Sequence, residues 1–487
     1  MGKKLKIGWL YVIAAVFVAI SLYLVVHKNN YLFFAVPVVL GILLLYIFSM
    51  DKVMLLISFA TPLSILLNSF GDAKLAISIP AEPLLMGVAI LFFAKLLYDG
   101  QYDRRASRHP VSIVIYCLFI WMTITSITSE LPVVSFKYLA SKFWLIVPSF
   151  FVCILLFRKP KNIDLFIWLY IASLCIVCVY TIINHAKNGF DGDSAHWVMT
   201  PFYNDHTAYG AALAIYLILA LTYLFLPDIK KSTKFVIAGV VVLLSVAMIL
   251  SSCRAAWLSL IAALVVLICV LLHIKFRWIA TTLAIIIGLF FAFQHQIIDT
   301  LEKNNQDASG DFVENIQSIT NISTDASNLE RINRWQSAFR LFNERPFFGW
   351  GPGTYQFVYA PYQMSKEKTI ISTNAGDGGN AHSEYIGALA EMGFIGSIIM
   401  VVLVVILIYS GLTTYKRCQN KKSKILVLGA TLALFSYFVH GTLNNFLDTD
   451  KLSVPVWSCA ALIVAIDLFY ADKKEFKEEE EKNLTEK

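Results

Sequence analysis

Charge is scarce in this chain. Asp, Glu, Lys and Arg make up 15% of its 487 residues, against 58% hydrophobic, and the mean hydropathy is +0.67. A soluble domain is only about 45–50% apolar, so this balance excludes an ordinary soluble fold. Cysteine is sparse as well: Cys117, Cys153, Cys175, Cys178, Cys253, Cys269, Cys418 and Cys459. All but Cys418 lie in or at the ends of apolar blocks, and none lies in the long hydrophilic stretch, which argues against a disulfide framework there. Cys175 and Cys178 are spaced CxxC, but inside a span they read as packing rather than redox or zinc chemistry. No cleavable leader is expected, because the first apolar block, Ile7 to Val26, is too long for a signal-peptide core and more spans follow. The absence of an internal repeat and the shortage of charge at mid-membrane depth argue against a transporter.

The apolar blocks themselves predict an all-α polytopic membrane protein, since each is long enough to cross a hydrocarbon core. About fourteen spans are expected, near 7–26, 31–49, 53–67, 81–98, 111–128, 137–157, 163–183, 206–226, 235–251, 255–272, 278–294, 384–410, 424–442 and 453–470. Pro62 interrupts the third. With the amino terminus inside, every basic cluster in a short loop falls on the cytoplasmic side, from Lys52 and Arg104–Arg105 through Lys230–Lys231 to Lys421–Lys422. The net charge of +7 is therefore a topology signal and not a nucleic-acid footprint. The expected organisation is 1–294 as transmembrane helices, 295–383 as an outer loop with an amphipathic helix, 384–472 as further spans, and 473–487 as a charged cytoplasmic tail.

On the outer face, polar groups collect. Arg254 stands at the turn of a tight helical hairpin, where an arginine can snorkel to the interface or face a ligand. In the loop, Ile332, Trp335, Phe339 and Phe342 recur at helical spacing and predict a helix lying on the membrane face. Arg331 and Trp335 are one turn apart, so guanidinium and indole can share a side of it. Pro346 ends that helix, and Gly349, Gly351 and Gly353 form a turn. His382 stands at the mouth of the next span, followed by Glu384 and, deeper, Glu391. Lys142, Asn204, Asp205, His206, His440, Asn444 and Asn445 share the same face. Guanidinium and ammonium groups at headgroup depth suit a lipid-linked diphosphate.

Three segments in order, "SSCRAAWLSL", "LERINRWQSAFRLFNERPFFGWGPGTY" and "NAHSEYIGALAEMGFIG", resemble the O-antigen ligase and O-antigen polymerase superfamily. The resemblance implies a glycosyltransferase C-type membrane fold with a long periplasmic loop between late spans. It implies transfer of a glycan from undecaprenyl diphosphate to an acceptor hydroxyl, lipid A-core for a ligase, at the periplasmic face of the bacterial inner membrane. The reaction it implies is metal-independent and needs no cofactor. Arg254 and Arg331 correspond to arginines that hold the donor diphosphate, with Lys142 a further basic group there. His382 corresponds to a histidine beside the acceptor, and Asp205, His206, Glu384 and Trp335 are accessory candidates. The family usually follows that histidine with asparagine; here Ser383 follows it. No appended soluble domain is expected after the last span, which argues against a protein acceptor. Alternatives in the same class are a repeat-unit polymerase and a protein O-oligosaccharyltransferase; a glycolipid flippase is the alternative of another class.

Overall fold

The computed structural model describes residues 41, 45, 46, 49–70, 75–100, 102–227, 229–274, 326–365, 372 and 379–473. The predicted spans at 7–26 and 278–294, and nearly all of 31–49, lie outside the described residues, as do 295–325 and the tail from 474. The chain divides into Met1–Met54 and Leu55–Lys487, and the features below belong to the second unit. Among the described residues, ten helices are long and apolar enough to cross a membrane. They are α1 (Ala81–Asp99), α2 (Pro110–Ile127), α3 (Pro132–Ile146), α4 (Pro160–Lys187), α5 (His206–Leu224), α6 (Lys231–Leu250) and α7 (Arg254–Leu271). After the loop helix α8 (Ala326–Glu344) come α9 (Glu384–Arg417), α10 (Lys421–His440) and α11 (Asp450–Phe469). A π-helical turn at Val147–Val152 prolongs α3 to Leu156.

The segment 53–67 does not form one span. Its helix stops at Ala60, a 3-10 turn follows at Thr61–Leu63, and the chain enters strand β1 (Ile65–Phe70). Strand β2 (Leu75–Ile79) pairs antiparallel with it, Ile65 opposite Ile79 and Leu67 opposite Ile77. Pro62 is the cause: it has no N–H to donate back along the helix and its ring crowds the preceding turn, so the α-helix gives way to the 3-10 turn.

The interior is built on α11, α5 and α10, which are the most enclosed spans, while α6 and α7 show most of their surface outward. In lipid, helices associate through small residues and interhelical hydrogen bonds rather than by expelling water. The core follows that rule. A Cβ on Gly429 of α10 would lie 2.2 Å from Thr222 Oγ1 of α5, so the two backbones meet there. Ser259 of α7 and Ser436 of α10 share a buried hydroxyl contact of 2.9 Å. Tyr170 stacks on Tyr216 at 4.0 Å between ring centres and donates its hydroxyl to Lys451 O at 2.8 Å.

Helix α9 is broken near its start. Gly393 takes φ 66 and ψ −172, which leaves backbone groups without helical partners. Groups freed at membrane depth must find partners within the protein, and the segment Pro346–Gly353 supplies most of them. Trp350 N donates to Ala390 O (3.0 Å), Gly351 N to Glu391 O (2.8 Å), and Phe394 N to Pro346 O (2.9 Å). Trp121 Nε1 of α2 donates to Met392 O at 2.9 Å. The approach requires glycine: a Cβ on Gly351, at φ +111, would lie 2.0 Å from Ser129 Oγ, and one on Gly393 would lie 2.2 Å from Phe347 O.

Candidate functional site

Local structure brings the sequence's scattered polar residues to the loop-facing ends of these helices. Between α6 and α7 the chain reverses at Ser252, which holds φ 50, and Arg254 opens α7. Gly210 of α5 makes room for this turn, since a Cβ there would meet Cys253 Cβ at 2.6 Å. Arg254 is thereby set beside the start of α5. Asp205 caps that helix, its Oδ1 accepting from Thr207 N at 2.7 Å and Ala208 N at 2.9 Å. The next residue, His206, stands perpendicular to His196, with Nδ1 atoms 3.0 Å apart.

From the loop, Arg331 on α8 donates through Nε to Leu443 O at 3.1 Å, in the connection between α10 and α11. His440 closes α10 and meets Asn444 Nδ2 at 3.2 Å through Nε2. His382 sits in the left-handed region at φ 48, its N–H held by Asn380 Oδ1 at 3.0 Å. Ser383, where the family pattern has asparagine, caps α9 by accepting from Ile386 N at 3.4 Å.

These residues form one electrostatic group. The Arg331 charge acts on Arg254, His206, His382 and His440, and Asp205 acts on His206, His382, His440 and Arg331. Burial is the main cause that lowers the His382 imidazole to about 4, with Arg331 and then Arg334 adding to it. Burial also lowers the Arg331 guanidinium from its usual range, opposed by Cys253 and Asp205. At neutral pH His382 is a neutral imidazole beside fixed positive charge.

Lys142 belongs to a different group. It lines a cavity of about 140 Å³ with Glu384, Glu391 and Asp448, and its charge acts on all three carboxylates. Its Nζ lies 5.0 Å from the centre of the Tyr138 ring. Glu384 Oε1 accepts from Tyr437 OH (2.8 Å), Phe446 N (2.8 Å) and Leu447 N (2.9 Å). Those bonds pin the α10–α11 connection to the mouth of α9, which is a structural duty. Glu391 accepts from Gly353 N (2.9 Å) and Tyr355 N (3.1 Å), holding the docked loop.

Helix α8 does not pack on its apolar stripe. Its buried side is Glu330, Asn333, Arg334, Ser337, Ala338 and Leu341, whereas Phe339 is 41% exposed and Ile332, Trp335 and Phe342 are half-buried. Inside the loop, Arg334 Nε pairs with Glu330 Oε1 at 2.6 Å and its guanidinium lies 4.1 Å over Tyr359. Trp335 keeps its indole N–H enclosed without a partner among the described residues. Sequence reasoning did not single out Asp448, Tyr138 or Trp457 for the cavity; the polar run "NNFLDTDK" was the signal available for the first.

Residues 239–401 match the family model described as O-Antigen ligase. The matched stretch holds Arg254, Arg331, His382 and Glu391, but not Lys142, Asp205, His206 or Asp448. A 254-residue stretch is also 25% identical to an uncharacterized protein of Haemophilus influenzae, covering 48% of this chain and 57% of that one. The chain thus spans little more than half of that relative's length. It is a multi-pass, helical membrane protein, and over residues 239–401 it is similar to the O-antigen ligase family.

Proposed function

We propose that this protein is a ligase-type glycosyltransferase, moving a glycan from undecaprenyl diphosphate to an acceptor hydroxyl. Lipid A-core is the expected acceptor. The reaction would run at the periplasmic face of the bacterial inner membrane, with both termini cytoplasmic and the basic short loops on that side. The observation that carries the reading is the convergence of Arg254, Arg331 and His382, drawn from three separate segments, into one charged group.

The chemistry suits that group. The acceptor oxygen attacks the anomeric carbon, the bond to the diphosphate oxygen breaks, and the lipid diphosphate leaves with the electron pair. Arg254 and Arg331 are placed to stabilise the charge that builds on the leaving oxygen, and guanidinium keeps its charge under these conditions. Neutral His382 accepts the proton from the attacking hydroxyl. Its low resting basicity comes partly from Arg331, so a diphosphate bound at Arg331 would offset that field and raise the base toward working range. Attack opposite the leaving group inverts the anomeric centre, and two arginines let charge be neutralised without a metal.

The test is genetic and then biochemical. Deleting the gene should remove the lipopolysaccharide ladder while long glycan accumulates on the carrier lipid. Core bearing a single repeat would instead identify a polymerase, and an unchanged ladder would sink the reading. In a purified transfer assay, near-normal activity of both Arg254→Ala and His382→Ala would sink the site.

A further inference from the structure

The chain turns from the cationic group into a second site within two residues. His382 feels Arg331, whereas Asn380, Ala381, Ser383 and Glu384 on either side of it line the cavity that holds Lys142 and Asp448. We propose that this cavity is the subsite for one sugar ring of the acceptor, and that it selects a ring bearing no negative charge, neutral or aminated. The inference rests on the glycosyltransferase reading and goes beyond it by naming the class of sugar.

Three observations lead there. First, the lining is that of a carbohydrate pocket. The aromatic faces of Tyr138, Tyr355 and Trp457 are interspersed with the amides of Gln356, Asn380 and Asn445. Second, the cavity wall holds a buried donor and a buried acceptor that find no partner among the described residues. Trp457 is 2% exposed and its indole N–H has no partner among the described residues, and the same holds for Asn445 Oδ1. Buried polar atoms are ordinarily paired, and a hydroxylated ligand can pair both kinds at once. Third, the charge is lopsided: three carboxylates face one ammonium. Glu384 and Glu391 already accept two or more protein hydrogen bonds each. Asp448, held by its own backbone N–H, is the third carboxyl facing the cavity. Burial pushes its carboxyl up from the usual range, with Lys142 opposing.

That charge balance decides which substrate enters. A phosphate or a uronic carboxylate would enter a buried space where three acidic groups stand against one ammonium, so its added charge would lack a partner of its own. The donor's first ring is bonded directly to the diphosphate, so it belongs at the arginines. The acceptor ring carries no such tether. Lys142, placed among carboxyl groups, is engaged by them and leaves the diphosphate to Arg254 and Arg331.

Binding without any donor isolates this idea from the transfer reaction. The full-length protein in nanodiscs is titrated with glucose, glucosamine and glucuronic acid at pH 7 and matched ionic strength, read by tryptophan fluorescence. Trp457→Phe serves to assign the signal. Glucose and glucosamine should both bind about tenfold or more tighter than glucuronic acid, a gap set by a buried unpaired charge. Asp448→Asn should narrow the gap, with an unchanged melting temperature showing that the variant is folded. Glucuronic acid binding as tightly as glucose, or no quenching by any of the three, overturns the proposal on the unmodified protein alone. Selective sugar binding by a protein with no transfer activity would overturn the glycosyltransferase reading and leave the pocket standing. Equally fast transfer to acceptors ending in uronic acid and in neutral sugar would do the reverse.

Discussion

The two polar regions at the loop-facing ends of the helices are built on opposite principles. Around Arg331, positive charge is concentrated and only Asp205 answers it among the groups that act on His382 and His440, apart from Glu330 within the loop. Around Lys142, negative charge is concentrated and one ammonium answers it. In the cationic group, burial keeps His382 neutral, with Arg331 and Arg334 adding to it. The carboxylate group turns its oxygens mostly inward, onto backbone N–H groups of the docked loop and of the α10–α11 connection. One region is arranged to meet charge that arrives from outside; the other mainly holds the first in shape. The sequence His382-Ser383-Glu384 is the seam between them.

Breaking the cationic side should have the largest effect. Arg331→Ala or Arg254→Ala should lower the transfer rate about 10²–10³-fold, the usual cost of removing one preplaced charge stabiliser. Lys142→Met should fall well short of that in the same assay. Equal losses would erase the distinction between the regions.

Breaking the scaffold side should show first in stability. Glu384→Ala leaves Tyr437 OH and two backbone N–H groups without their acceptor. Each orphaned buried group costs about 1–3 kcal/mol, so the melting temperature in detergent should drop sharply, with transfer lost as a consequence. Glu384→Gln keeps one acceptor oxygen and should recover most of the stability. A melting temperature unmoved by Glu384→Ala would show that the α10–α11 connection is held some other way.

A pH series sharpens the contrast. With the His382 imidazole at about 4, it is already neutral across the neutral range. In kcat/KM, which reports the free enzyme, the term from His382 should stay level from pH 8 down to about 5 and fall only below that, where a histidine at its ordinary value of about 6.5 would fail sooner. The stability sign follows. The unfolded chain takes up this proton near pH 6.5 and the folded protein only near 4, so acidification through that window favours unfolding. A kcat/KM profile breaking at pH 6–7, and lost in His382→Gln, would refute the buried neutral imidazole of the free protein.

The smallest effect belongs to the seam. Ser383→Asn restores the residue usual in the resembling family and keeps a good helix cap. Stability should move by only a few tenths of a kcal/mol, with transfer within about twofold. A gain of tenfold or more would mean that the family's amide has a chemical duty that this chain lacks.

Much of this arrangement was legible from residues. Blocks of apolar length gave the helices, and three short segments pointed to Arg254, Arg331 and His382 because each stands out from apolar or turn-forming neighbours. The grouping of charges was not legible. Lys142 read as a partner of the arginines, since a sequence shows that a cation lies at one membrane face but not which carboxylates surround it. Asp448 and Trp457 went unremarked because an aspartate in a loop and a tryptophan in a span are ordinary until their neighbours are known. Helix α8 was expected to lie with its apolar stripe on the membrane face; what the sequence did not show is its buried side, where the Glu330–Arg334 pair adjoins an apolar cluster of Ala338, Leu341, Tyr355 and Tyr359. Pro62 was visible, but the antiparallel pairing beyond it depended on β2, which is not adjacent in the apolar block.

The break at Gly393 has a bearing on how such proteins can be recombined. The loop segment Pro346–Gly353 and the first turns of α9 are cut to fit one another, carbonyl against N–H, with no side chain tolerated on three sides of the joint. They work only as a matched set. A chimera that exchanged the outer loop with a relative's but kept its own start of α9 would be joining halves of two different locks, and the crossover has to fall after Phe394 for the transplant to seat.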